Sequence, residues 1–153
     1  MLVEYSRFDL WDEEALRSGA AQDVFLGAVP GAQEWLKGGH NKVECACWAQ
    51  SQFAQVDLRA ASAEPPTVDG WEQHSTVDAW FDTGVLRLWS LTAGPASDLL
   101  LNLPFPGPVF VRARTRGRDA TVTAARASSG DPTEVSGLEQ WLIEIWPRGG
   151  HGV

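Results

Sequence analysis

The chain has 153 residues and a formal net charge of −8, from 12 basic and 20 acidic side chains. This length corresponds to one domain that can bury a hydrophobic core without a metal or disulfide. The acidic balance argues against nucleic acid or an anionic membrane as the main partner. No apolar run reaches the ~20 residues of a membrane helix, and the first residues lack the features of a signal peptide, so we expect a cytoplasmic protein.

Short alternating or apolar segments, separated by turn residues, follow one another through the first half of the chain. They predict strands at residues 2–11, 24–29, 42–49, 53–60 and 71–81. One helical turn is predicted over 12–17, a loop over 29–42, and a hairpin turn at 50–52. A connector with Pro65-Pro66 and Asp69-Gly70 precedes the long strand at 71–81.

The second half continues the same pattern. Strands are predicted at 85–91, 99–103, 109–116 and 141–146, with a short partner strand at 121–125 and a polar loop over 128–137. Together the segments indicate an all-β fold, a single-domain antiparallel β-sandwich of about 8–10 strands with few or no long helices. We expect residues 1–147 to form this domain and residues 148–153 to be a flexible C-terminal tail.

No catalytic, metal-binding or cofactor-binding motif is present. The chain has no nucleophile elbow, phosphate-binding loop or calcium loop, and its three histidines lack the spacing of metal ligands. Cys45 and Cys47 lie on one face of a predicted strand, where a bridge between them is unfavourable, so we expect free buried thiols. The sequence therefore favours a protein that is not an enzyme and has no cofactor. An active site assembled from distant strands is the rival hypothesis, and a deep pocket with His40 or His74 beside a carboxylate would favour it.

The negative charge is concentrated in one half of the chain. Residues 1–82 contain 14 acidic and 5 basic side chains, a net of −9, whereas residues 83–153 contain 6 and 7, a net of +1. If the first half forms one face, that face is acidic and suits a basic partner. The candidate contact residues are Asp12, Glu13, Glu14, Asp69, Glu72, Asp78 and Asp82. The alternative is ordinary solvent exposure and, for the first three, a helical turn that complements the helix dipole.

Tryptophan is unusually frequent, with eight residues in the chain. Most are expected to fill the core and seat strands, because aromatic side chains suit a half-buried pleated surface. Trp71 and Trp80 are the candidates for a partner-binding or sugar-binding role. Three arginines, Arg112, Arg114 and Arg116, alternate along one predicted strand. They are either an anion clamp or a solvent-facing stripe paired with carboxylates such as Glu144, and we favour the second interpretation.

Three segments resemble the competence-protein J or nuclease-inhibitor family. They are the opening residues 5–12, the central residues 80–90, and the strand entry at residues 101–112, in which the insertion Pro104-Phe105-Pro106-Gly107-Pro108 departs from the family pattern. The ending Glu139-Gln140-Trp141-Leu142 resembles uncharacterised actinobacterial proteins more closely. The resemblance implies a small acidic sandwich that binds and blocks a DNA-degrading enzyme.

These observations favour a non-enzymatic inhibitor or immunity-type protein. Its acidic residues, with Trp71 and Trp80, would bind a basic partner such as a nuclease or toxin by steric occlusion and charge complementarity. The alternatives are a carbohydrate- or small-ligand-binding module that uses tryptophan, and an assembly protein whose strand edges pair between copies. The chain is expected to be a monomer or homodimer. Its partner, its strand order and any anion bound by the arginine stripe are open at this point.

Overall fold

The computed structural model describes residues 1–19 and 34–149, without the side chains of residues 97–99. Within these residues are ten strands, two α-helices and one short 3₁₀ helix. The strands are β1 (Leu2–Glu4), β2 (Arg7–Asp12), β3 (Leu36–Gly38), β4 (Lys42–Ala46), β5 (Ser51–Ala60), β6 (Gln73–Phe81), β7 (Val85–Ser90), β8 (Gly94–Asn102), β9 (Gly107–Arg116) and β10 (Ser136–Pro147). The helices are α1 (Glu13–Ser18) and α2 (Arg118–Ala127), with the 3₁₀ helix at Pro132–Glu134. The prediction of an all-β fold with few or no long helices is confirmed.

The ten described strands form one sheet that curves into a nearly closed barrel. Their order is β3–β4–β2–β1–β5–β10–β9–β6, with β7 on β2 and β8 on β7. The ends of this path meet where the Trp80 amide donates to the Gly39 carbonyl (3.1 Å) and the Asn41 amide donates to the Trp80 carbonyl (2.7 Å). The predicted antiparallel sandwich is therefore not confirmed, and β5 and β10 are parallel. Alternation within a strand specifies its buried face but not its neighbours.

The core fills the inside of this barrel. The inward side chains of β9 and β10 are almost completely buried, and they include Val111 and Ile143. The indole of Trp141 lies among them and meets the rings of Phe8 and Trp35 edge-on, at centroid distances of 5.0 and 5.5 Å. Burial of each large apolar side chain contributes about 1.5–3 kcal/mol. The strands predicted at 109–116 and 141–146 thus correspond to β9 and to part of β10.

Several local predictions are wrong. The predicted strand at 2–11 is interrupted by a two-residue turn between β1 and β2, and the predicted loop at 29–42 contains β3 in its described part. The predicted hairpin at 50–52 joins β4 and β5, which pair with other strands. Residues 121–125 belong to α2, because a short apolar run does not by itself distinguish a strand from a buried helix. The strand predicted at 24–29 lies outside the described residues.

The C-terminal end of the domain is attached to the barrel at Arg148. Its backbone amide donates to the Pro108 carbonyl at 3.0 Å, and its guanidinium lies 3.1 Å from the Asp78 carboxylate. Residues 150–153 of the predicted tail lie outside the described residues. Among the helices of the described part, none is long and apolar enough to span a membrane.

Candidate functional site

An exposed aromatic side chain stands where the barrel closes. Trp80 is 48% exposed at the end of β6, and the alternate residues Asp78 and Asp82 are exposed beside it. The β3–β4 connection brings His40 and Asn41 against the same place. We call these five residues, His40, Asn41, Asp78, Trp80 and Asp82, the Trp80 surface.

The Asp82 carboxylate organises this surface. One of its oxygens accepts a hydrogen bond from the Trp80 indole nitrogen at 2.9 Å and lies 2.9 Å from Nε2 of His40. The other oxygen accepts from the Asn41 side-chain amide at 2.8 Å. The Asp82 backbone amide in turn donates to the Asn41 side-chain oxygen at 2.9 Å. The orientation of the exposed indole is therefore set before any partner arrives.

The backbone beneath the Trp80 surface explains why these residues meet. Asn41 has a φ of 61°, and asparagine is one of the few non-glycine residues that adopt this left-handed conformation readily. Gly38 lies so close to β6 that a Cβ atom there would be 1.9 Å from the Asp78 carbonyl oxygen. Any larger residue at this position would push the two edges of the barrel apart.

Hydrogen bonding also sets the charge of the Trp80 surface. The hydrogen bonds from Asn41 and then from His40 and Trp80 lower the pKa of Asp82 below its ordinary value, because they stabilise the ionised carboxylate. Asp82 therefore carries a full negative charge at neutral pH. The carboxylate of Asp78 is exposed on the same surface, where it lies 3.1 Å from the Arg148 guanidinium.

Two of the predicted contact residues have internal roles instead. Asp12 is fully buried and caps α1 by accepting from the Ala15 amide at 3.2 Å. It also accepts from the Thr83 amide (2.8 Å) and the Gly84 amide (3.1 Å), which holds the turn after Asp82. Glu13 is 7% exposed and lies 2.8 Å from Arg87 of β7. Neither carboxylate is exposed to solvent. Asp12 accepts hydrogen bonds from α1 and from the turn after Asp82, and Glu13 pairs with Arg87.

The remaining predicted contact residues differ in exposure, and they do not all lie on one surface of the molecule. Glu14 is exposed on α1, and Asp69 is exposed on the connector before β6. Glu72 is exposed and accepts a hydrogen bond from the Gly117 amide at 3.0 Å. Trp71 is half-buried, with the guanidinium of Arg116 5.0 Å from its ring centre. Of the predicted set, Asp78, Trp80 and Asp82 are the residues that share one surface.

In the described part of the chain, most strands of the acidic first half are neighbours in the sheet, in the order β3–β4–β2–β1–β5. Strands of the second half join them where β7 pairs with β2 and β10 with β5. Part of the charge of the acidic half is buried with counter-charges, as in the Asp9–Lys42 and Glu44–Lys42 ion pairs on the outer face of β2 and β4. The net of −9 is therefore not all exposed, because the carboxylates of Asp9, Asp12, Glu13 and Glu44 are buried.

The arginine stripe on β9 is covered by the protein itself. Arg112 and Arg114 are 6% and 3% exposed, and each donates to the same Glu144 oxygen at 3.0 Å. Their other donors reach the carbonyls of Pro65 and Pro66 in the connector. The predicted pairing with Glu144 is confirmed, but these two arginines do not face solvent, since the connector folds over them. Only Arg116 of the stripe is exposed.

A second charged cluster lies inside the barrel. Arg118, the first residue of α2, is 1% exposed, with Nη1 2.7 Å from the Gln73 side-chain oxygen and Nη2 3.2 Å from the Ala46 carbonyl. Its Nε lies 3.4 Å from the buried Glu139 carboxylate. Three indoles surround the guanidinium at 4.4 to 5.4 Å, those of Trp35, Trp48 and Trp141. We call this group the Arg118 cage.

The two cysteines lie near the Arg118 cage. Cys45 and Cys47 are free and buried. Burial raises the pKa of both thiols well above the ordinary value, because a thiolate is poorly solvated there. They are therefore protonated and unreactive at neutral pH. The prediction of free buried thiols is confirmed.

The Trp80 surface bears on the rival enzyme hypothesis. His40 lies beside a carboxylate, as the rival enzyme hypothesis required, but its side chain is 61% exposed and the pair stands at the surface rather than in a deep pocket. The described residues contain no group of three or more potential metal ligands. Chemically, the Trp80 surface offers an apolar indole face next to hydrogen-bonding groups and negative charge.

Sequence reasoning did not identify His40 and Asn41 as parts of this surface. They lie 39 to 42 residues away from Trp80 and Asp82 along the chain, in a glycine-rich stretch that was predicted to be a loop. Their proximity depends on the closure of the barrel, which no local pattern encodes. Gly38 and Gly39, which precede them, indicate that another backbone segment comes close, but they do not indicate which segment.

No protein-family model and no curated protein matches the chain. Among solved structures, it is similar to the crystal structure of ComJ, inhibitor of the DNA degrading activity of NucA, from Bacillus subtilis. The TM-score is 0.58 at 15% sequence identity, over 96% of this chain and 92% of that chain. A second structure, titled Crocagin biosynthetic gene J, aligns with a TM-score of 0.47 at 14% identity, over 97% and 94% of the two chains. The resemblance seen in the sequence is thus supported at the level of fold.

Proposed function

We propose that this chain is a non-enzymatic binding protein that inhibits a partner enzyme by covering part of its surface. The observation that carries the proposal is the exposed indole of Trp80, held in place by Asp82 and flanked by carboxylates. Tryptophan is enriched among the residues that dominate protein interfaces. An indole that is already oriented loses little conformational entropy on binding, so more of its contact energy is available for affinity.

The partner that we propose is an enzyme that degrades DNA. ComJ, whose fold this chain shares, is described as an inhibitor of the DNA-degrading activity of NucA. An enzyme that binds the DNA backbone needs a basic surface, because it must neutralise phosphates. The carboxylates of Asp78 and Asp82 complement such a surface and would accelerate association at low salt.

The proposed mechanism is steric occlusion with the Trp80 surface at its centre. Trp80 would insert into a pocket of the enzyme, while Asp78 and Asp82 would face its basic residues. Glu14, Asp69, Glu72 and Trp71 lie away from this group or are held by other contacts, so we assign them at most a peripheral role. Asp12 and Glu13 are left out of the contact because both are buried.

The proposal is tested with DNA-degrading enzymes encoded by the same genome as this chain. Each is assayed for DNA cleavage with and without an equimolar amount of the protein, at several salt concentrations. The parent protein should inhibit one of them, and Trp80→Ala should weaken inhibition by about thirtyfold or more, the effect of losing a central interface anchor. Asp78→Asn should slow association chiefly at low salt.

The matched control is Asp57→Asn, which removes a half-exposed carboxylate on β5 that is paired with Arg59 and lies outside the Trp80 surface. It should inhibit like the parent. Full activity of every tested enzyme in the presence of the parent protein would refute the proposal. Equal inhibition by the parent and Trp80→Ala would instead move the contact to another surface.

A second candidate is a carbohydrate ligand, because hydrogen-bonding groups surround the exposed indole. The face of an indole can pack against the C–H groups of a sugar ring, while His40, Asn41 and Asp82 offer donors and acceptors for its hydroxyls. A glycan array separates the two candidates. Binding that is lost in Trp80→Ala and retained in Trp71→Ala would favour the sugar.

A further inference from the structure

The turn between β1 and β2 is built from two residues in an unusual backbone conformation. Glu4 pairs with Arg7, so the loop consists of Tyr5 and Ser6 alone, with φ values of 54° and 57°. A two-residue loop with two positive φ angles is a type I′ turn, for which Asn-Gly is the favoured sequence. Tyrosine and serine adopt this conformation at an energetic cost, because their Cβ atoms crowd the backbone.

The neighbouring loop maintains this strained turn. The Ser6 amide donates to the Gln50 carbonyl at 3.1 Å, and the Cys47 amide donates to the Ser6 carbonyl at 2.8 Å. The side chain of Tyr5 is 64% exposed. Within the described part of the chain it makes no hydrogen bond and no ring contact. The strained turn therefore holds an exposed tyrosine whose side chain has no hydrogen bond or ring contact with the described residues. Strained backbone positions cluster at functional sites.

A pocket of about 440 Å³ opens beside this ring. It is lined by Glu4, Tyr5, Gln50, Ser51, Ala125, Ser128 and Gly130. Glu4 has no salt-bridge partner among residues 1–19 and 34–149, so its carboxylate is available. Ala125 and Ser128 belong to the C-terminal end of α2, which is the negative pole of the helix dipole. An aromatic face, a carboxylate and a helix C-terminus all attract a cation.

We propose that the Tyr5 pocket binds an arginine side chain of a protein partner. A guanidinium is planar, so it can stack on the Tyr5 ring while it donates to the Glu4 carboxylate, which an ammonium group cannot do as well. The pocket lies at the opposite end of β2 from Asp12, roughly 20 Å from the turn that follows Asp82. It is therefore a second contact region, and it does not depend on the function proposed for the Trp80 surface.

The pocket can be tested without an identified partner, because Tyr5 is the only tyrosine in the chain. Protein labelled with ¹³C at the tyrosine ring gives one set of aromatic NMR signals, which is followed during titration with Nα-acetyl-arginine methylamide. The citrulline analogue, which has the same shape without the charge, is the matched probe. We expect a saturable shift with the arginine probe and binding of citrulline at least about tenfold weaker.

Variants then locate the contact. Glu4→Gln should weaken arginine binding severalfold, whereas Asp57→Asn should leave it unchanged. Linear shifts of equal size for the two probes would overturn the proposal, and so would binding that is unaffected by Glu4→Gln.

A stability measurement separates this role from a structural one. Tyr5→Asn should keep or raise the melting temperature, since asparagine suits the turn, while the arginine probe no longer binds. A clear decrease in the melting temperature of Tyr5→Asn would mean that the fold itself needs the tyrosine, and the proposal would fail.

Discussion

The Arg118 cage and the Trp80 surface combine the same side-chain types, indoles and an ionised group, in opposite surroundings. In the cage the charge is buried among three indoles, and Gln73, Ala46 and Glu139 surround its nitrogens. At the Trp80 surface the charge is exposed, and its partners hold one indole in solvent.

The difference shows that burial determines whether an ionised side chain contributes to folding stability or is available for binding. Burial lowers the pKa of Arg118 below its ordinary value, because the ion has lost its water, so the cage is stable only while all its partners are present. Solvent screens the hydrogen bonds at Asp82, so they contribute little to the free energy of unfolding. The face of the Trp80 indole stays available to another molecule, whereas the cage has no free face.

The largest effect is expected from Arg118→Ala. The substitution leaves the buried carboxylate of Glu139 without its counter-charge and opens a cavity among the indoles, so we expect a loss of about 3–5 kcal/mol in the free energy of unfolding. Urea denaturation followed by tryptophan fluorescence measures it. The matched control is Arg116→Ala, on an exposed arginine of β9, which should cost less than about 1 kcal/mol.

The double variant Arg118→Met with Glu139→Gln sharpens this prediction. It removes both charges and keeps most of the volume, so it should be more stable than Arg118→Ala. An equal free energy of unfolding for the double variant and Arg118→Ala would show that packing alone stabilises the cage. The difference between the cage and the Trp80 surface would then not depend on charge.

Asp12→Ala is expected to have the next largest effect. It removes the cap of α1 and leaves the buried amides of Thr83 and Gly84 without an acceptor, so a loss of about 2–4 kcal/mol is expected. The measurement is the same denaturation experiment, with Glu14→Ala as the exposed control within about 0.5 kcal/mol of the parent. Similar stability of Asp12→Ala and the parent would return Asp12 to the list of candidate contact residues.

Glu144→Gln tests an intermediate case, in which a β10 carboxylate pairs with arginines of β9. Arg112 and Arg114 would keep their carbonyl acceptors in the connector but lose a shared counter-charge, so we expect a loss of about 1–3 kcal/mol. Denaturation in 1 M sodium chloride and at low salt separates charge from packing, because a covered ion pair is screened only weakly. A stability loss that disappears in high salt would show that the connector leaves these arginines open to solvent.

Trp80→Ala and Asp82→Asn are expected to change stability least. Each should alter the free energy of unfolding by less than about 1 kcal/mol, because both residues are exposed. Hydrogen bonds lower the pKa of Asp82 in the folded state, so its contribution is present above the ordinary aspartate pKa and is lost as the pH falls through the lowered one. The parent and Asp82→Asn should therefore converge in acid. A large loss in the free energy of unfolding at neutral pH would show that the Trp80 surface contributes to stability as core residues do.

Local patterns determined a good deal about this protein. Alternation along residues 109–116 identified β9, the apolar run at 141–146 identified part of β10, and the helical turn after Asp12 is present as α1. The strand predicted at 71–81 corresponds to β6, which carries Asp78 and Trp80. These features depend on residues a few positions apart, where side-chain direction follows from the two-residue period.

Only the tertiary structure decided the closure of the barrel and what it brings together. His40 and Asn41 reach Asp82 because the first and last strands of the path meet, and Arg112 and Arg114 are buried because a connector with two prolines lies over them. Part of the negative charge of the acidic half is internal, because Asp9 and Glu44 lie beside Lys42 and Glu13 lies beside Arg87. The sequence specifies which side of each strand is apolar, but the free energy that selects its neighbours comes from packing the whole core at once.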